Sequence, residues 1–171
     1  MSYAINSLVG KSLGENLPNR AKRYSYSSGF CSLLISTLIM TILIILREEI
    51  PLLYTKDESV IDTVSGVMPV FGFTILVDSF QAVLIGAIKG CGLQAYGTVL
   101  TIFSFWGVML PSCYVLVFIV KVGLIGIWIG TSLGLLTASI LFVILGLRID
   151  WVELAQTVVD SVMKEKQKLI S

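Results

Sequence analysis

The chain has 171 residues, 56% of them hydrophobic and 13% charged, with a formal net charge of +1 and a mean hydropathy of +0.92. Soluble domains carry about a quarter of their residues as charges, so this balance excludes an ordinary soluble domain and points to an integral membrane protein. A near-neutral chain without a basic patch excludes a nucleic-acid partner; with no histidine and Cys31, Cys91 and Cys113 in no ligand spacing, no metal site and no cofactor are expected.

In chain order, residues 1–24 are polar and basic and lack the apolar core of a secretory signal. Four segments that can span a bilayer follow, at about 25–47, 60–88, 95–120 and 123–147. The first is clean from Gly29 to Leu46 and closes on Arg47-Glu48-Glu49-Ile50-Pro51. The second opens on Thr55-Lys56-Asp57-Glu58, a pattern in which Thr55 is expected to cap the first turn and Glu58 to reach back to it. Pro69 and Pro111 fall inside the second and third spans, where they are expected to kink helices rather than end them. Residues 148–171 read as an amphipathic tail helix at the membrane surface. Leu154, Ala155, Val158, Val162 and Met163 recur at helical spacing opposite Glu153, Asp160, Lys164 and Lys168, with Trp151 at headgroup level.

Lysine and arginine between spans set topology. Nine lie on the side of the termini (Lys11, Arg20, Lys22, Arg23, Lys89, Arg148, Lys164, Lys166 and Lys168) against Arg47, Lys56 and Lys121 on the other. Both termini are therefore expected in the cytoplasm of a multi-pass protein in the plasma membrane or an endomembrane, with an acidic loop at 47–60 on the far side.

Asp78 stands inside the apolar run from Val64 to Ile88. A carboxylate at membrane depth costs at least about 2.5 kcal/mol to insert, so it is a functional candidate by default. Thr74, four residues before it, and Gln81, three after, share its face and make a polar stripe expected to turn toward other helices or a wet cavity. A functional Asp78 holds a proton or a cation; a structural one glues two helices together. An intramembrane enzyme needs a second catalytic group, and no histidine or further deep carboxyl is present.

The span ends in Gly86-Ala87-Ile88-Lys89-Gly90-Cys91-Gly92, eight residues beyond Asp78. Here the chain resembles the C-terminal third of multidrug and toxic compound extrusion (MATE) transporters, whose tenth helix carries an acid followed, eight residues on, by such a glycine turn. "AINSLVGKSLG" at 4–14, "LLYTKDESV" at 52–60, "FWGVMLP" at 105–111, and "GLIGIWIG" at 123–130 with "LRIDWVELA" at 147–155 resemble further stretches of that family in order. The departures are Leu8 and Lys11 for its arginine and asparagine, Glu15-Asn16 for its Ala-Gly, and Thr101 for an asparagine that would line the cavity.

The resemblance implies an all-α integral membrane fold: helices nine to twelve of a six-helix C-lobe, preceded by the end of an eighth helix and its cytoplasmic loop at 1–24. It implies antiport, an organic, often cationic xenobiotic leaving in exchange for a proton or sodium ion. Asp78, Gln81, Thr74 and Thr101 are the substrate- or ion-binding candidates. The partners implied are the lipid bilayer, amphipathic or cationic small molecules and the helices of an N-terminal lobe. One third of a twelve-helix transporter cannot alternate access alone, so the chain is expected to be a fragment not competent by itself. The rival expectation is a complete four-span scaffold or assembly protein without transport.

Overall fold

Backbone amides in hydrocarbon have no water to bond, so long apolar runs must satisfy themselves as helices. A computed structural model describes residues 2–170, and the side chains of these except 162, 165, 166 and 168–170. Its helices are α1 (Ser2–Gly14), α2 (Pro18–Ile45), the short α3 (Glu49–Leu52), α4 (Glu58–Gly90), α5 (Gln94–Ile119), α6 (Leu124–Arg148) and α7 (Trp151–Ile170). Helices α2, α4, α5 and α6 are each long and apolar enough to cross a membrane.

Several boundaries move from those expected. α2 starts at Pro18 rather than near residue 25, because proline suits the first helical position and Ala21 is already buried against α1. Thr55 is not the cap of α4. Asp57 is, its Oδ1 accepting from Ser59 N at 3.0 Å, while Thr55 Oγ1 accepts from Asp57 N at 3.1 Å one step earlier. Asp57 wins because it sits directly before the first turn, where its charge is favoured by the helix dipole. α4 runs unbroken through Pro69.

α5 also continues through its proline, but with a widened register: residues 103–109 and 115–119 are π-helical, and Leu110 N–H donates to Phe105 O. Pro111 has no N–H to give to the preceding turn, and the i→i−5 bonds on either side absorb the mismatch.

α4 is the central rod. α2 packs on one side of it, with Gly72 against Met40 and Ser32 Oγ donating to Ser79 O at 2.9 Å. α6 packs on the opposite side, and α1 lies along its last two turns, with Ser2 at Gly86 and Asn6 at Gly90. α6 in turn meets α5 along Gly126, Gly130 and Gly134, a small-residue line that lets the backbones approach.

At the end of the bundle holding both α1 and α7, Ile5, Val9, Leu13, Ala21, Val83, Ala87, Cys91 and Ala155 form one buried cluster. The tail helix docks its first turns there, with Leu154 and Val158 against the cluster and Asp150 capping it through the amides of Val152 and Glu153. Met163 is exposed, and the side chains of Val162 and Lys168 lie outside the described residues. Two chain reversals at this end need left-handed backbone. Gly92 (φ 74°) closes α4, its N–H and that of Leu93 reaching Lys89 O and Ile88 O; Asn16 (φ 57°) closes α1 in the same way. Asparagine tolerates that conformation, so Asn16 preserves the turn where the resemblance has glycine.

Candidate functional site

Asp78 lies 12 residues before the end of α4, about 18 Å along the axis at ~1.5 Å per residue, and 20 residues after its start. That is deep within a hydrocarbon layer about 30 Å thick. Thr74 and Gln81 are turned inward, 5% and 7% exposed, whereas Asp78 is exposed. The difference follows from helix pitch. Seven residues fall about 20° short of two turns, so Thr74 and Gln81 align; four residues overshoot one turn by about 40°, so Asp78 stands off their line.

Gly86 and Gly90 mark the line of α4 that faces α1, and Thr74 the line that faces α6. Asp78 falls between the two, on an open flank. No lysine or arginine pairs with it among the described residues.

Thr74 does what an interhelical hydroxyl does. Its Oγ1 lies 2.7 Å from Ser132 Oγ of α6, and each hydroxyl has a carbonyl of its own helix within reach, Val70 O at 2.9 Å and Trp128 O at 2.9 Å. Either can donate to the other. Phe71 packs edge-on against Trp128 beside them, with ring centroids 4.6 Å apart. The Gln81 amide makes no hydrogen bond among the described residues, which leaves both of its ends free for a ligand or water.

Thr101 is half-buried one turn beyond Gly97, the α5 residue that packs against Ile88 and Ile85 of α4. Its hydroxyl donates to Gly97 O at 2.8 Å, so no side-chain bond joins it to Thr74, Asp78 or Gln81. The stripe is thus a seam, Thr74 with Ser132, beside an amide and a carboxylate that the chain leaves unpartnered. Ser132 escaped the sequence reading. Its signal was the pair Ser132 and Ser139, seven residues apart on one face of an apolar helix and both buried.

Cys91, in the turn after α4, is 3% exposed, and burial pushes its thiol up to about 12. A thiol held protonated is a packing group, not a nucleophile.

Four apolar helices of spanning length around a sparse polar seam define an integral, multi-pass α-helical membrane protein. The family model described as MatE matches residues 1–115. The chain belongs to that family. It is similar to multidrug and toxin extrusion protein 1 of Danio rerio, 30% identical over 155 residues covering 91% of this chain and 26% of the relative. It is also similar to protein DETOXIFICATION 21 of Arabidopsis thaliana, 29% identical over 148 residues covering 86% and 30%. The fold matches the crystal structure of the eukaryotic MATE transporter AtDTX14 with a TM-score of 0.86 at 23% identity, over 93% of this chain and 36% of that one. The chain spans about a quarter to a third of the length of these proteins.

Proposed function

We propose that this chain supplies the carboxylate-bearing part of a multidrug or toxin extruder, an antiporter that exchanges an organic, often cationic compound for a proton or sodium ion, and that it does not transport alone. The observation that carries the reading is Asp78: a carboxylate deep in a spanning helix, exposed on an open flank and unpaired. Family membership and the printed names of the relatives support it.

The proposed chemistry is competition for one site. Asp78 pairs with a cationic substrate or with the coupling ion, and binding of one lowers affinity for the other. Gln81 offers an amide to either from the adjoining face, and Thr74, tied to Ser132, holds that part of α4 against α6. Thr101, with its hydroxyl engaged by Gly97 O, contributes to the wall more than to the ligand set. No step calls for a bond to be made or broken within the substrate, so the activity is transport and not catalysis.

α1 and α6 pack on either side of the flank carrying Asp78 and leave it exposed, so preceding helices of a longer chain would have it available to them. The excess of lysine and arginine at the α1–α7 end favours a cytoplasmic location for both termini.

The test is drug efflux in efflux-deficient cells expressing the chain alone and joined to the preceding helices of a full-length relative, its N-terminal lobe and the first helices of its C-lobe together. Only the joined form should extrude a cationic dye down an ion gradient, and Asp78→Asn should abolish extrusion with membrane insertion unchanged. Unchanged efflux would sink the assignment of Asp78. The Thr74–Ser132 bond favours the scaffold reading, since it is a helix–helix contact a scaffold would use; on that reading Asp78→Asn is silent in every form.

A further inference from the structure

The flank of α4 opposite Asp78 carries a different surface. Asp78 and Phe80, two residues apart, stand about 160° apart around the helix. Phe80 belongs to the floor of an apolar trough between α2 and α6. Two open cavities of about 350 and 380 Å³ share Leu33, Phe80 and Val143 and so adjoin along the same groove. From Cys91 to Phe73 it follows 18 residues of α4, about 27 Å at ~1.5 Å per residue. That is close to the whole hydrocarbon thickness of about 30 Å.

The trough is carbon along its length. The hydroxyls that border it, Ser25 and Ser139, are spent on carbonyls of their own helices, Ala21 O at 3.1 Å and Leu135 O at 2.8 Å. Donors gather only at its α1–α7 end, where the Tyr26 phenol and the Trp151 indole line the mouth and neither bonds a protein acceptor among the described residues. Lys22 is exposed four residues before Tyr26 and seven before Gly29, which also lines the trough, so it continues the same face of α2 by one turn. The Asp150 carboxylate beside this mouth is turned to the amides of Val152 and Glu153.

A trough of carbon with phenol and indole donors at its mouth and Lys22 one turn beyond them on the same face of α2 fits an amphiphile with an anionic head. A helix, about 10–12 Å across, needs several times this volume over such a length, whereas the cavities match the lower end of small-molecule sites, about 300–1,000 Å³. We infer that the trough holds an acyl chain of an anionic phospholipid from the leaflet at the α1–α7 end, with the lipid phosphate at Lys22, Tyr26 and Trp151. This site is separate from the Asp78 flank and does not rest on the transport reading.

The test uses the full 171-residue chain in bilayer nanodiscs, with Trp106→Phe and Trp128→Phe leaving Trp151 as the indole reporter. Phosphatidylglycerol brominated along its acyl chain, present as a minor fraction in phosphatidylcholine, should quench Trp151 with about fivefold preference over brominated phosphatidylcholine at the same fraction, the size set by one basic side chain at an anionic surface. Lys22→Ala should remove the preference and Lys22→Arg keep it. Gly146→Phe, at a trough position where an added Cβ meets nothing within 4 Å, should weaken quenching by both lipids. Far-UV circular dichroism verifies that each variant keeps its helices. Equal quenching by the two lipids, a preference that survives Lys22→Ala, or no quenching by either lipid because protein covers the trough would each overturn the inference.

Discussion

Gly130 offers the sharpest test of the packing. A Cβ added there would lie 2.5 Å from Cys113 Sγ, 2.7 Å from Cys113 N and 2.9 Å from Cys113 Cα. Carbon contacts settle at about 3.5–4.0 Å, and two of the three atoms are backbone that cannot rotate aside. α6 must therefore move off α5 by something near 1 Å, and overpacking of this kind costs about 1–3 kcal/mol. Gly66, in the body of α4, has nothing within 4 Å of an added Cβ, so alanine there should instead gain up to about 1 kcal/mol of helix propensity. One substitution thus has opposite signs at two helical glycines, with a gap of about 1–4 kcal/mol. Unfolding by dodecyl sulfate in mixed micelles, followed by helical circular dichroism, measures it. Gly134→Ala, which meets Met109 Cβ at 2.5 Å, should behave like Gly130→Ala, and Gly126→Ala, with its nearest contact at 3.1 Å, more mildly. If Gly130→Ala is as stable as Gly66→Ala, α5 and α6 do not approach as described.

Three further outcomes follow from single contacts. A double-mutant cycle of Thr74→Val and Ser132→Ala in the same micelle assay should return a coupling of about 0.6 kcal/mol and no more than about 1.7, the range found for interhelical hydrogen bonds in membranes; a coupling of zero would mean the hydroxyls do not bond. Asp57→Ala should cost about 1 kcal/mol through loss of the α4 cap, whereas Thr55→Ala should cost less, and the reverse order would restore Thr55 as the cap. The Cys91 thiol, raised from its ordinary value near 9 to about 12, should resist maleimide in the folded chain at pH values where the unfolded chain reacts freely. Because the folded state holds its proton longer, the stability this thiol contributes is fully present below pH about 9 and falls as pH rises toward 12. Alkylation rates of folded and unfolded chain across that window decide it.

The four spans were legible because lipid leaves the backbone one solution, and composition reports lipid. Their ends were less so. Pro18 and Asp57 act through local geometry that competes with neighbours of similar propensity, and whether Thr55 or Asp57 caps α4 depends on which residue opens its first turn, which the residue order alone does not fix. The π-helical stretches around Pro111 depend on how the helix absorbs a missing donor, for which the residue order carries no code. The fit of α5 to α6 was written in Gly126, Gly130 and Gly134, a spacing readable in principle, since a small residue every fourth position has a mechanical use in lipid.

Asp78 shows where pattern reasoning loses resolution. A stripe at spacings of three and four places Thr74, Asp78 and Gln81 on one face, but that face is broader than a contact line. A displacement of about 40° decides which residue packs and which is left open. The two that pack differ in consequence: Thr74 bonds α6, and Gln81 is buried with its amide free. The chain therefore engages its hydroxyl within the bundle and leaves the acid and the amide without a side-chain partner among the described residues. The same rod, turned by the two residues from Asp78 to Phe80, presents a wholly apolar trough. A helix at the centre of a bundle has one neighbour per direction, and in α4 the directions that lack a protein neighbour are the carboxylate flank and the trough. Their opposite chemistry argues for opposite occupants: polar ligand on the first, lipid on the second.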